Sequence, residues 1–113
     1  MKIEVRKKGK VNILDLSGKM VIGEGDRLLK EKVKGLLDSG ERFFILNLQG
    51  VPWLDSGGIG EVVACFKRVR EKDGTIKLEK LSPKAHDLFT MTALNRVFEI
   101  FKDEEEALGS FAG

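Results

Sequence analysis

The stretch Val51-Pro52-Trp53-Leu54-Asp55-Ser56-Gly57-Gly58-Ile59-Gly60 is a polar, glycine-rich corner between the most apolar run of the chain and an amphipathic segment. Upstream, Arg42-Phe43-Phe44-Ile45-Leu46-Asn47-Leu48 is too short for a typical helix and suits a strand buried on both faces. It reads as the central strand of a sheet. Downstream, Ile59, Val62, Val63, Phe66 and Val69 recur at the three- and four-residue spacing of a helix that buries one stripe and ends at Asp73-Gly74. Ser56 therefore stands where a buried strand hands over to a helix N-terminus.

The first turn of a helix leaves backbone N–H groups unpaired and carries the positive end of the helix dipole, so an anion at Ser56 is favoured. Gly57 and Gly58 add no Cβ, which lets another active site approach this backbone and lets a phosphate on Ser56 reach the amides. On local chemistry alone, Asp-Ser ahead of a helix reads first as a cap.

The flanks extend the pattern. Ile3 and Val5, then Val11, Ile13, Leu14 and Leu16, mark two strands joined by an exposed turn at Lys7-Lys8-Gly9-Lys10. After Ser17-Gly18 comes a helix with Asp26 as N-cap and Leu29, Val33, Leu36 and Leu37 on one face, stopping at Asp38-Ser39-Gly40. Gly74-Thr75-Ile76-Lys77-Leu78 alternates like a strand with one polar face, which predicts a place nearer a sheet edge. Ser82-Pro83 opens a helix with Ala85, Leu88 and Phe89 inward. Asn95 to Phe101 reads as a terminal strand, and Asp103 with three glutamates starts a last helix with Ala107, Leu108 and Phe111 inward. A hairpin followed by alternating helices and strands predicts one α/β domain over residues 1–113. Its central mixed β-sheet has about four or five strands, with about four helices packed mainly on one face.

Composition removes several functions. The 20 basic and 18 acidic residues leave a formal charge of +2, without the basic excess that direct nucleic-acid binding needs. The one cysteine, Cys65, falls within the predicted second helix, so an intrachain disulfide and a cysteine-rich metal site are both ruled out and a buried, inert thiol is expected. Met1-Lys2-Ile3-Glu4 opens no apolar leader, and no apolar run reaches membrane-span length, so no membrane insertion and a cytoplasmic location are expected. Asp55-Ser56-Gly57-Gly58 superficially resembles a serine-nucleophile segment, yet the one histidine, His86, lies downstream on a predicted surface helix, away from any such role. The glycines carry neither a dinucleotide fingerprint nor a Gly-Lys-Ser/Thr phosphate loop. The acidic run Asp103 to Glu106 suits solvation and dipole matching, not metal binding. No catalytic residue, metal or cofactor is expected.

The corner does not stand alone. Leu46-Asn47-Leu48, then Trp53-Leu54-Asp55-Ser56-Gly57-Gly58-Ile59-Gly60, then a helix ending at Asp73-Gly74 and a later Ser82-Pro83, closely resemble the STAS domain family, specifically its small stand-alone bacterial anti-sigma factor antagonists. Leu16-Ser17-Gly18-Lys19-Met20 resembles the Gly-x-hydrophobic segment that ends the second strand in that family, so the resemblance covers essentially the whole chain. It implies that Ser56, directly after Asp55, is phosphorylated by an anti-sigma factor serine kinase and restored by a metal-dependent serine phosphatase. It implies a switch and not an enzyme: the unphosphorylated form binds the kinase and the phosphorylated form does not.

The partner-binding residues expected on this basis are Trp53, Leu54, Asp55, Ser56, Gly57 and Gly58, with Trp53 and Leu54 readable equally as surface contacts or as core. Two positions depart from the family pattern. Gly57 replaces the usual serine, alanine or threonine, leaving Ser56 as the hydroxyl of the corner, and Val21 replaces an acidic residue that often follows Gly-x-hydrophobic. The resemblance also admits an accessory subunit of a lipid-transporting ABC system, with the same corner on an ATPase, or a nucleotide-binding sensor.

Overall fold

Chain reversal begins at once: β1 (Lys2–Lys8) and β2 (Val11–Ser17) pair antiparallel about a tight turn at Gly9 and Lys10. Gly9 takes φ +61°, a left-handed conformation that hairpin turns need and that glycine adopts without penalty. The structure, a computed structural model, describes residues 1–21, 23 and 25–111, with backbone alone at 25 and 26. α1 (Gly25–Asp38) returns the chain so that β3 (Phe43–Gly50) lies parallel to β2. Because α1 already begins at Gly25, Asp26 lies in its first turn and not ahead of it; the Asp26 side chain, and with it the expected cap, is outside the described residues.

α2 (Ser56–Glu71), β4 (Thr75–Glu79), α3 (Pro83–Met91), a single 3-10 turn (Leu94–Arg96), β5 (Ile100–Phe101) and α4 (Glu104–Gly109) complete the chain. The sheet order is β1-β2-β3-β4-β5, with β2 through β5 parallel and β1 antiparallel, so β3 is the central strand of a mixed sheet. Leu14, Leu16, Phe44, Leu46, Leu48, Ile76 and Leu78 face the stripes of α1 and α2, and Ala85 and Phe89 of α3. Val11, Ile13 and Ile45 point the opposite way and are covered by Ala107, Leu108 and Phe111 at α4. Three helices on one face and one short helix on the other give, among the described residues, the expected α/β arrangement of five strands and four helices.

The caps follow the local code. Ser82 Oγ accepts from the Ala85 amide at 3.1 Å with Pro83 in the first helical position, and Asp103 Oδ1 accepts from the Glu106 amide at 2.8 Å.

Three expectations need correction. β4 lies one place in from the edge, but its polar face does not meet water: Lys77 is 6% exposed and Glu79 0%. α4 folds over that face, where Lys77 Nζ donates to Ser110 O at 3.1 Å and Oγ at 2.8 Å and sits 4.5 Å from the Phe111 ring centre. The terminal strand shrinks to Ile100–Phe101. Ala93, in a left-handed conformation at φ +60°, turns the chain out of α3 into the 3-10 turn. Phe98 is thereby carried inward, its ring centre 5.1 Å from Phe66 and 5.9 Å from Phe89. α2 stops at Glu71, short of Asp73-Gly74, and Gly74 passes so close to β3 that a Cβ there would stand 2.4 Å from the Arg42 carbonyl oxygen.

Candidate functional site

The corner after β3 is built on backbone. Gly18 N donates to Gly50 O at 2.9 Å, Met20 N to Trp53 O at 3.2 Å and Asp55 N to Met20 O at 3.3 Å, so residues 51–55 are held beside the segment that leaves β2. Met20 and Leu54 form a parallel bridge, and both side chains are buried in the main core. In the extended stretch before α2, neighbouring side chains point opposite ways: Leu54 is 3% exposed and Trp53 42%. The two open readings thus separate, Leu54 as core and Trp53 as surface.

Asp55 is the N-cap of α2, with extended backbone, and its Oδ1 accepts from the Gly58 amide at 2.9 Å. Ser56 is the first helical residue and its side chain is exposed. Capping therefore belongs to Asp55, and the Ser56 hydroxyl stands at the positive end of a 16-residue helix. Gly57 is half-buried and Gly58 buried. A Cβ on Gly58 would meet the Met20 carbonyl oxygen at 2.3 Å, so the missing side chain is what lets α2 begin against the Met20 peptide. Val21, in place of the usual acidic residue, follows directly and is half-buried.

Of the six residues expected at the site, Trp53, Asp55, Ser56 and Gly57 reach the surface, while Leu54 and Gly58 form the base that holds them. Pro52, Trp53 and Leu54 also form one wall of an apolar groove of about 290 Å³, whose other wall is Lys84, Ala85, Asp87, Leu88 and Met91 of α3. Met91 is 82% exposed. Sequence reasoning missed this second wall. A signal was present, since Met91 lies off the Ala85, Leu88, Phe89 stripe, but nothing local ties α3 to Trp53.

Two other side chains singled out from the sequence lie away from the corner. His86 is exposed on α3. Cys65 is fully buried on α2, where burial first, and the Glu61 carboxylate beside its Sγ second, push the thiol well above its ordinary range. Among the described residues no group of histidine, cysteine and carboxylate side chains is placed to hold a metal ion, and no helix is long and apolar enough to cross a membrane.

Known proteins are similar to this chain in sequence and in fold. The anti-sigma-B factor antagonist of Bacillus subtilis is 36% identical over 78 residues, covering 69% of this chain and 71% of that protein. A crystal structure of a Thermotoga maritima protein superposes with a TM-score of 0.87 at 25% identity, covering 96% of this chain and 92% of the other. The phosphorylated form of the Bacillus cell fate determinant SpoIIAA shares the fold at a TM-score of 0.77 and 18% identity, covering 98% of this chain and all of that one, 100%. Residues 2–107 match the STAS domain family, to which this chain belongs.

Proposed function

We propose that this chain is an anti-sigma factor antagonist. In this reading it catalyses nothing itself: it binds an anti-sigma factor serine kinase through the corner around Ser56 and releases it once Ser56 is phosphorylated, and a metal-dependent serine phosphatase restores the hydroxyl. The observation that carries this is the exposed Ser56 at the first position of α2, with the cap already supplied by Asp55. A serine needed for capping could not be modified without loss of the helix start; this one can. The similarity to the Bacillus subtilis anti-sigma-B factor antagonist supports the partner class, and a partner that controls a sigma factor is met in the cytoplasm.

The physics of the switch is local. A phosphate brings about −1.5 to −2 charges at neutral pH. The first-turn amides and the dipole of α2 accept that charge, while Asp55 beside it opposes it, so the fold persists with little rearrangement. A partner surface shaped for a neutral hydroxyl, with Trp53 as its apolar neighbour, instead meets a bulky dianion and is rejected.

Incubation with the cognate kinase and ATP is expected to add one phosphate, mapped by peptide mass to Ser56, with Ser56→Ala abolishing it and Ser17, Ser39, Ser82 and Ser110 untouched. A stable complex with an ATPase that never phosphorylates Ser56 would overturn the switch and favour a permanent accessory subunit.

A further inference from the structure

The sheet face under α4 carries a polar row that the Ser56 corner does not use. Asp15, Asn47 and Glu79 stand in register on β2, β3 and β4. From β1, the Arg6 guanidinium donates to Asp15, through Nη2 at 2.9 Å, and to both oxygens of Glu104 on α4, at 2.6 and 3.1 Å. Lys8 Nζ adds a third bond to Glu104 at 3.0 Å. Asn47 donates to Asp15 at 2.8 Å, and its own oxygen accepts from the Gln49 amide at 3.0 Å. These donors all serve Asp15 or Glu104. Glu79 is 0% exposed and neither of its oxygens accepts a hydrogen bond among the described residues; it ends the row that begins at Asp15, which Arg6 ties to Glu104, and the Glu104 carboxyl acts on it to disfavour its charge.

A buried carboxylate without a donor is very unfavourable when ionised, and two ionised carboxylates in contact more so. We propose that Glu79 keeps a proton up to the neutral range, far above an ordinary carboxyl, and donates it to Glu104, so that the seating of α4 on the sheet is latched by a shared proton and loosens in alkaline solution. Arg6 and Lys8 decide which carboxyl keeps the proton, because they hold Glu104 down to about 2. Burial first, then Glu104, push Glu79 up to about 7. The other charged groups nearby do not change that order. Lys80, next along the chain, and Arg6 pull Glu79 down only in part, Asp15 is neutralised by Arg6, and Lys77 is turned to Glu99 and Ser110.

The sign follows from linkage. Glu79 binds its proton more tightly folded than unfolded, so its contribution is fully present below the ordinary 4.5 and is lost as pH rises through about 7. Glu104 acts in the opposite sense and only in acid, its contribution falling away as pH drops toward about 2. α4 is short, and besides this latch it is seated by the Arg6 and Lys8 bonds to Glu104, by the Lys77 bonds to Ser110 just beyond its end, and by Ala107, Leu108 and Phe111 over Val11, Ile13 and Ile45. Opening it would uncover that apolar surface on the side of the sheet away from α1 and α2.

The test is the side-chain carboxyl resonance of Glu79 followed by carbon NMR against pH, together with amide exchange across α4 corrected for its intrinsic pH dependence. The expected result is a titration near 7. Protection of α4 should fall about tenfold or more between about pH 6 and about pH 8.5. In Glu79→Gln, whose amide can donate to Glu104 at any pH, protection should be kept and its pH dependence lost. A Glu79 carboxyl that titrates below about pH 5 would overturn the proposal even if the variant fails to fold, and so would an equal loss of protection in wild type and Glu79→Gln.

Discussion

Replacing Gly58 with alanine, set beside the same change at Gly60, asks whether the first turn of α2 is held in place by the Met20 peptide. Both glycines lie within α2, and alanine in a helix interior gains about 0.8–1 kcal/mol over glycine. At Gly60 nothing lies within 4 Å of an added Cβ, so Gly60→Ala should realise that gain. At Gly58 the Cβ would stand 2.3 Å from the Met20 oxygen and 3.1 Å from both the Met20 carbonyl carbon and Leu54 Cβ. Ordinary contact between carbon atoms is about 3.5–4.0 Å, so the turn or the Met20 peptide must shift by about 1 Å.

Overpacking of this kind costs about 1–3 kcal/mol. The shift also strains the Asp55 N to Met20 O bond, worth about 0.5–1.5 kcal/mol. Net of the helix gain, Gly58→Ala should destabilise by about 0.5–3.5 kcal/mol, and the two variants should move in opposite directions. Urea unfolding of wild type and both variants at neutral pH reads this directly. Equal stabilisation by the two alanines would refute the idea that the corner is built on contact with Met20.

Ser56→Asp should leave the unfolding free energy within about 1 kcal/mol of wild type, since the helix N-terminus favours the added charge and Asp55 opposes it, while kinase binding is lost. A parallel loss of stability and binding would make Ser56 structural, and full binding would remove the corner from the interface. Cys65, fully buried with its thiolate disfavoured by burial and by Glu61, should react with a thiol reagent only as fast as the protein opens. Rapid labelling of the native protein would contradict that placement.

Features decided within a few residues were legible in the chain. The apolar run Phe43 to Leu46 could only be a strand with two covered faces, and it is the middle strand. Ser82 and Asp103 each precede a helix whose third amide they accept. Ser56 could be placed at the strand-to-helix handover because the polar, glycine-rich step and the apolar periodicity after it both lie in one short stretch.

What only the tertiary structure decided is which surface covers which. Periodicity shows that Thr75, Lys77 and Glu79 share one side of β4, but not whether water or α4 lies over it, and α4 is what buries Lys77 and Glu79. Asp-Ser is the same dipeptide whether Asp55 or Ser56 caps, and the backbone angles settled it for Asp55. The groove wall from α3, the split between Trp53 and Leu54, and the Met20 oxygen that requires glycine at 58 all come from residues far apart in sequence. Local spacing specifies which side chains share a face, whereas contact between faces depends on how the packed elements exclude water from one another, and that is written in three dimensions.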